Sequence, residues 1–169
     1  MTEEENKELD EELEIAEYKG DENQVVIQTH QRINQSLSGE VMIMEDGYVE
    51  VSLITTPDML ADDMGLIHGG FVFSAADYAA MLAVNEPNVV LVASDCQFLS
   101  PVKLHQEVIV KARVRHKEGR KRNVHVEAFV LDIKVFDGEF KTVITEKHVL
   151  KMKLLDKEEE QSGTHPEEG

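Results

Sequence analysis

The stretch Ile67–Asn85, IHGGFVFSAADYAAMLAVN, decides the fold of this chain. Near its start Gly69 and Gly70 follow His68, and a run of Ala, Leu, Met and Phe long enough for several helical turns comes after them. After the glycines the run contains one charged residue, Asp77. A helix this apolar has almost no face suited to water, so we expect the rest of the chain to cover it.

The few polar groups of this predicted helix fall on one narrow stripe. Ser74, Asp77, Tyr78 and Asn85 follow helical spacing, with Met81 between them. A carboxylate on a buried helix loses hydration worth several kcal/mol, roughly, unless it is paired or faces a wet cleft. Asp77 therefore either bonds to another element, lies on an exposed stripe, or points into a functional site.

The start of the helix is suited to binding an oxygen that gains negative charge. Gly69 and Gly70 let a ligand approach the backbone closely. The first N–H groups of a helix have no acceptor within the helix, and its N-terminal end is positive. One helix can thus supply both an anion hole, at the Gly70 N–H, and a carboxylate, at Asp77.

Composition and charge predict one folded domain between two acidic tails. The chain has 169 residues, 41% of them hydrophobic, and a net charge of -17. Residues 3–22 carry 11 acidic and 2 basic side chains, and residues 156–169 carry 6 and 1, so the rest is nearly neutral. We expect residues 1–24 and 156–169 to be disordered tails, because they bury too little apolar surface to offset the entropy lost on ordering the chain. We expect one folded domain at residues 25–155.

Several classes of protein and of site are disfavoured. An acidic N-terminus does not suit nucleic acid, and neither a signal pattern nor a membrane-spanning apolar run is present. The single cysteine, Cys96, excludes an internal disulfide framework and fits a reducing compartment, so we expect a soluble cytoplasmic protein. The seven histidines form no helix-spaced pair and no Cys–His cluster, so we predict no metal and no cofactor.

The remaining segments predict a meander of antiparallel strands. A short helix is expected in residues 28–37, closed by Gly39. Turns are predicted at Asp46–Gly47, Glu118–Gly119 and Asp137–Gly138, between runs in which apolar and polar residues alternate. An α+β fold satisfies these parts if the sheet wraps around the one long helix. A monomer would leave a sheet edge and part of the helix uncovered, so we expect a homodimer, with a tetramer as an alternative.

The sequence His68-Gly69-Gly70, followed by Asp77 nine residues after the His, resembles hotdog-fold acyl-CoA thioesterases of the phenylacetyl-CoA and 4-hydroxybenzoyl-CoA type. The resemblance runs from Gln28 to Met152 and continues in FLSPVKLHQEVIVKARV after the helix. It implies a hotdog fold and a site at a dimer interface, with the carboxylate from one subunit and the glycine N–H from the other. Two positions depart from the family: Asp62 replaces a common Asn, and Ser100 replaces a common Arg.

The predicted roles follow from this resemblance and from the residue chemistry. Asp77, Gly70 and His68 are the predicted catalytic residues; for His68 we prefer fixing the loop through a hydrogen bond, with general base as the alternative. Gly69 and Ser74 are expected to contact the substrate. Four cations are candidates for binding the phosphates of coenzyme A, although a solvated turn is an equal alternative for the last three: Lys103, Arg120, Lys121 and Arg122.

A second resemblance keeps a non-catalytic function open. The segments VRHKEGRKRNVHVE and VFDGEFKTVI resemble the hotdog effector domain of malonyl-CoA-sensing repressors of lipid synthesis. More weakly, the whole chain is similar to hotdog proteins associated with flagella and virulence in Campylobacter-like bacteria. The sequence thus predicts an acyl-CoA thioesterase of lipid metabolism, with an acyl-CoA-binding regulatory or scaffold protein, linked to flagella or virulence, as the alternative.

Overall fold

The computed structural model of the protein describes residues 24–152. The tails predicted at residues 1–24 and 156–169 lie outside the described residues, apart from residue 24. We number the elements α1 (Gln35–Ser38), β1 (Glu40–Glu45), β2 (Tyr48–Ile54), α2 (Gly69–Val84), β3 (Val89–Phe98), β4 (Glu107–Glu118), β5 (Lys121–Val130) and β6 (Ile133–Ile144). Two 3-10 turns occupy Pro57–Met59 and Val149–Lys151.

The six strands form one antiparallel sheet in the order β1-β2-β4-β5-β6-β3. The predicted turn at Asp46–Gly47 is confirmed, with Gly47 at a φ of 76°, and so is the turn that contains Gly119. The turn predicted at Asp137–Gly138 is wrong, because β6 runs through both residues and the chain reverses instead at residues 131–132. Gly138 is needed there for close packing: an added Cβ would lie 2.8 Å from the Cβ of Cys96.

The helix predicted in residues 28–37 is much shorter in the structure. Only Gln35–Ser38 is helical, with the Asn34 side chain accepting the Ser36 N–H at its start. The preceding residues cannot continue the helix backwards, since His30 has a φ of 53°. Gly39 ends α1 as predicted, although its φ of 96° and ψ of 167° lie outside the left-handed helical region.

The long helix α2 lies against the inner face of the sheet, as its composition predicts. His68 precedes the first turn, and Asn85 ends the helix in a left-handed conformation with its N–H donated to the Met81 carbonyl. Valines that alternate along the strands form the opposing wall; fully buried examples are Val49, Val51, Val108, Val110, Val124 and Val126. This is the hotdog fold implied by the resemblance. Among residues 24–152, no helix combines the length and the apolar character that a membrane crossing requires.

Candidate functional site

The loop before α2 is held by backbone hydrogen bonds to two other segments. The N–H of Ile67 donates to the Val102 carbonyl at 2.9 Å, and the N–H of His68 donates to the Met59 carbonyl at 2.9 Å. Asp62 shapes the same loop, because its Oδ1 accepts the N–H groups of Met64 (2.9 Å) and Leu66 (3.2 Å). An Asn has the same Oδ1 acceptor, so the departure at Asp62 keeps this loop contact.

Two aromatic rings flank the glycines of the first helical turn. A Cβ added to Gly70 would lie 2.9 Å from Nε2 of His68, and one added to Gly69 would lie 3.2 Å from the Phe98 ring. The His68 ring in turn packs edge to face on Phe71, with 6.1 Å between the ring centroids. The His68 side chain forms no capping hydrogen bond with α2, so the loop-fixing role stays a prediction, and a Cβ at Gly70 would require the His68 ring to move.

The N–H groups of Gly69 and Gly70 face no helical carbonyl, because they belong to the first turn of α2. Neither group donates to another backbone or side-chain acceptor among the described residues. Gly70 is exposed, so a ligand oxygen can reach its N–H. This is the geometry that an anion hole at a helix start requires.

Asp77 differs from the other polar residues of its stripe. The Ser74 hydroxyl is 2.8 Å from that of Ser38. The Asn85 side chain likewise accepts the Gln28 N–H and donates to the Val26 carbonyl, which joins the end of α2 to residues 26–28. Burial raises the pKa of Tyr78, and the nearby Gln35 side chain opposes that rise. Contacts with the N-terminal part of the domain thus satisfy Ser74 and Asn85.

Oδ1 of Asp77 is buried without a hydrogen-bond partner within the described part of the chain. Burial raises the pKa of Asp77 from 3.8 to about 6. An ion pair with another element, one of the readings left open by the sequence, is therefore not present there. A half-buried carboxyl with one buried oxygen that no neighbour satisfies is typical of a functional group, because it destabilises the fold without making a structural contact.

An apolar cleft of about 330 Å³ opens beside Gly69, a size at the lower end of ligand pockets. Its wall includes Ser100, the second departure from the family pattern, so this change alters the lining of the cleft. Sequence reasoning missed most of the cleft, because its residues come from three separate segments: Leu66, Ile67, Val72, Phe98, Leu99, Pro101, Val102 and Val135.

The four predicted phosphate-binding cations lie at two distant places. Lys103 is exposed and pairs through its backbone with Leu66, next to the loop before α2. The other three lie at the β4–β5 turn, and the 12 residues of β4 place roughly 35 Å between the two groups within one chain. At that turn Arg120 bonds to Glu146, Arg122 donates to the Gly119 and Lys121 carbonyls, and Lys121 is exposed.

Comparison with known proteins agrees with the fold and the helix motif. Residues 64–136 match the model of the thioesterase superfamily. The acyl-coenzyme A thioesterase PaaI of Escherichia coli is 32% identical over 111 residues, which cover 64% of this chain and 74% of that protein. The chain belongs to the thioesterase superfamily.

Two solved structures of superfamily-like fold are similar over nearly their whole length. An uncharacterized protein of Pyrococcus horikoshii has a TM-score of 0.74 and 42% identity, covering 75% of this chain and 98% of that one. A sigma28-regulated virulence protein of Campylobacter jejuni has a TM-score of 0.71 and 36% identity, covering 73% and 95%.

Two curated relatives are considerably longer than the matched region. A methylthioribose-1-phosphate isomerase of Aquifex aeolicus is 57% identical over 117 residues, which are 69% of this chain and 26% of that protein. A transcription factor FapR of Caldanaerobacter subterraneus is 28% identical over 114 residues, which are 67% of this chain and 57% of that protein. This chain therefore spans about a quarter of the length of the isomerase and a little over half of the length of the transcription factor.

Proposed function

We propose that this superfamily member hydrolyses acyl-CoA thioesters at a site shared by two subunits. The observation that carries the proposal is Asp77, whose Oδ1 is buried without a partner among the described residues and whose pKa burial raises to about 6. It lies on the same helix as the unpaired first-turn N–H groups. The 32% sequence identity to a named acyl-coenzyme A thioesterase, in an alignment that covers 74% of that protein, gives further support.

The distance between these two groups favours a homodimer. Gly70 and Asp77 are seven residues apart on α2, which corresponds to about 10 Å along the helix axis. One thioester carbonyl cannot contact both groups of the same chain. A second copy that presents its own Gly70 to this Asp77 would complete the site, which is the arrangement that the family resemblance implies.

The strand β3 offers a surface for this second copy. It is an edge strand, paired with β6 on one side, so its other side carries unpaired backbone groups. Its apolar side chains are unusually exposed for their type: Val92 is 60% exposed and Phe98 55%. Pairing of β3 with β3 of a second copy would provide hydrogen-bond partners for the unpaired backbone groups of this edge and would bury these side chains.

The proposed reaction begins with ionised Asp77, which a pKa of about 6 makes the major form at pH 7 to 8. As a general base it takes a proton from water, and the resulting oxygen attacks the thioester carbonyl carbon. As a nucleophile it attacks that carbon itself, giving an acyl–Asp77 anhydride that water then hydrolyses. In both routes the Gly70 N–H stabilises the oxyanion, the C–S bond breaks, and the CoA thiolate takes up a proton.

The cleft and a cation beside it suit the two ends of an acyl-CoA. The apolar cleft beside Gly69 can hold the acyl group, and the exposed Lys103, next to Val102 of the cleft wall, is a candidate for a CoA phosphate. Lys121 and Arg122 lie too far away to bind the same CoA from the same chain, and they stay predicted phosphate contacts only for a CoA bound by the other subunit. Ser74 stays a predicted substrate contact, reached only if its bond to Ser38 opens. We also propose that the protein acts in the cytoplasm, in lipid metabolism.

The test is release of free thiol from a panel of short, medium, long and aromatic acyl-CoAs. Asp77→Asn should lower kcat by at least roughly a hundredfold, because an amide neither attacks nor accepts the proton. CoA binding, measured on the same samples, should persist. Asp132→Asn, the same change in an exposed turn between β5 and β6, serves as the matched control and should keep full activity. Near-normal turnover by Asp77→Asn would overturn the assignment.

A second candidate function is acyl-CoA binding without turnover. The similarity to a sigma28-regulated virulence protein over 95% of that protein favours it, as does the similarity to a transcription factor. In that case wild type and Asp77→Asn would bind acyl-CoA equally and neither would release thiol. The protein would then act as a regulatory or scaffold component, and partners of the acyl-CoA-bound form would be the next target.

A further inference from the structure

On the outer face of the sheet, away from α2, three side chains from two adjacent strands point toward one another. They are His125 and Glu127 of β5 and Asp137 of β6. Nε2 of His125 is 3.7 Å from Oε1 of Glu127 and 3.7 Å from Oδ2 of Asp137. The three potential ligand atoms all lie within 4.8 Å of one another.

A fourth residue fixes the orientation of the imidazole. Nδ1 of His125 is 2.6 Å from Oε1 of Glu139, which is its cross-strand partner in β6. A carboxylate accepts hydrogen bonds, so Nδ1 carries the proton and Nε2 of a neutral ring presents its lone pair to Glu127 and Asp137. In metal sites, a histidine ligand commonly donates the N–H of its other ring nitrogen to a carboxylate, which fixes the orientation of the ring.

The burial and charge of this cluster are also suited to a cation. The His125 side chain is only 14% exposed, against 63% for His116 on the neighbouring strand. Three carboxylates surround the ring, and the neighbouring ammonium is Lys134, whose Nζ lies 2.7 Å from Oε2 of Glu127 and bonds also to Asp137. With a neutral imidazole, the cluster therefore keeps an excess of two negative charges.

Two cations of the neighbouring strand β4 already have partners. Lys111 lies 3.9 Å from Oε1 of Glu50 on β2 and 5.4 Å from the centroid of the Phe129 ring on β5, and the Arg113 guanidinium stacks 4.3 Å from the centroid of the Tyr48 ring. Lys134 is itself 35% exposed, so it can swing into solvent when another cation enters. The carboxylates of Glu127 and Asp137 are thus accessible to an incoming ion.

We propose that His125, Glu127 and Asp137 bind a divalent first-row transition-metal ion such as Zn²⁺, with Glu139 orienting the imidazole and water completing the coordination. One nitrogen and two carboxylate oxygens are ligands that Zn²⁺ accepts at about 2.0 to 2.2 Å. The His125–Glu127 and His125–Asp137 pairs, each 3.7 Å apart, need to approach by only a few tenths of an ångström, roughly, to share one ion at these distances, and the two carboxylates lie within 4.8 Å of each other. The site joins β5 to β6 and is independent of the proposed thioesterase site on α2.

The experiment is titration of the metal-free full-length protein with ZnCl₂ by calorimetry at pH 7.5. We expect wild type to bind zinc at one site per chain. The affinity should fall by at least roughly a hundredfold in His125→Ala, and by about tenfold in Glu139→Gln, which changes the orienting carboxylate. Lys134→Met should bind more tightly than wild type, because the competing ammonium is gone. Thermal unfolding of each variant without zinc checks that it folds.

His116→Ala is the matched control. His116 also lies 3.7 Å from a carboxylate, Oε2 of Glu118, but this pair is exposed and has no third ligand among the described residues. The acidic terminal segments are present in all variants, so weak binding to them is common to every titration. Unchanged zinc affinity in folded His125→Ala, or an equal loss in His116→Ala, would overturn the proposal. If His125→Ala does not fold, Glu127→Gln/Asp137→Asn replaces it with the same criteria.

Discussion

Replacement of Asp77 by Asn should stabilise the protein at pH 8 relative to wild type, and this advantage should shrink as the pH falls. Burial raises the pKa of Asp77 from 3.8 to about 6 in the folded state. The folded protein therefore holds this proton more tightly than the unfolded chain does. Wild type gains stability from protonation as the pH falls from 6 toward 4, and it loses that stability as the pH rises through 6.

The size of the effect follows from the two pKa values. A shift of about two units corresponds to about 3 kcal/mol between the fully ionised and fully protonated limits. At pH 4 the unfolded carboxyl is already partly protonated, so about 2 kcal/mol of this difference appears between pH 8 and pH 4. The amide of the Asp77→Asn variant does not titrate, and all other ionisable groups are common to both proteins.

The assay is urea unfolding of wild type and Asp77→Asn at pH 8, 6 and 4, at one protein concentration because a dimer is expected. The variant's advantage in free energy of unfolding should fall by about 2 kcal/mol from pH 8 to pH 4. Parallel stability curves for the two proteins would show that the carboxyl of Asp77 is ordinarily solvated or paired. That result would remove the structural basis of the proposed catalytic role.

Two further predictions test the site and the sheet. The kcat/KM for thioester hydrolysis should rise with pH through an inflection near the Asp77 pKa of about 6 and level off above it, because the ionised carboxylate is the active form; a flat profile from pH 5 to 8 would contradict this. Gly138→Ala should destabilise the protein by about 2 kcal/mol, because the new Cβ would lie 2.8 Å from the Cys96 Cβ and 3.1 Å from the Phe140 ring. Denaturant unfolding measures this change, and a stability equal to wild type would show that β3 and β6 are less closely packed at this point.

Much of the fold could be predicted from the sequence, because it depends on local pattern. The Ala-rich run predicted the one long helix, although the structure starts it at Gly69, within the predicted glycine loop, and alternating valines predicted strands and their inner face. The predictions failed where tertiary contacts override local preference. Asp137–Gly138 has the composition of a tight turn, yet Gly138 lies in mid-strand because Cys96 approaches it across the sheet. The helix predicted at residues 28–37 is reduced to four residues at its end.

The predicted site was only partly accessible to sequence reasoning. Asp77, His68 and the glycines share one helix and its start, so their relation follows from helical geometry. The cleft beside Gly69 combines a loop, a helix and two strand ends, and no local pattern indicates that combination. The outer-face cluster was missed for a related reason. His125 and Glu127 are two residues apart on a strand, so the sequence places them on one face of the sheet. Asp137 was predicted to lie in a turn, so its position opposite Glu127 in β6 could not be expected.

The sequence by itself determined which residues are apolar, where the one long helix lies, and that a single carboxylate interrupts it. Only the tertiary structure decided which polar groups remain unsatisfied. Ser74 and Asn85 share a stripe with Asp77, but Ser38 and residues 26–28, more than thirty positions away, satisfy the first two and leave the third without a partner for Oδ1 in the described part of the chain. Strand register likewise decided that Glu139 meets His125. Side-chain partners depend on register and packing between distant segments, and a shift of one residue exchanges the faces of a strand.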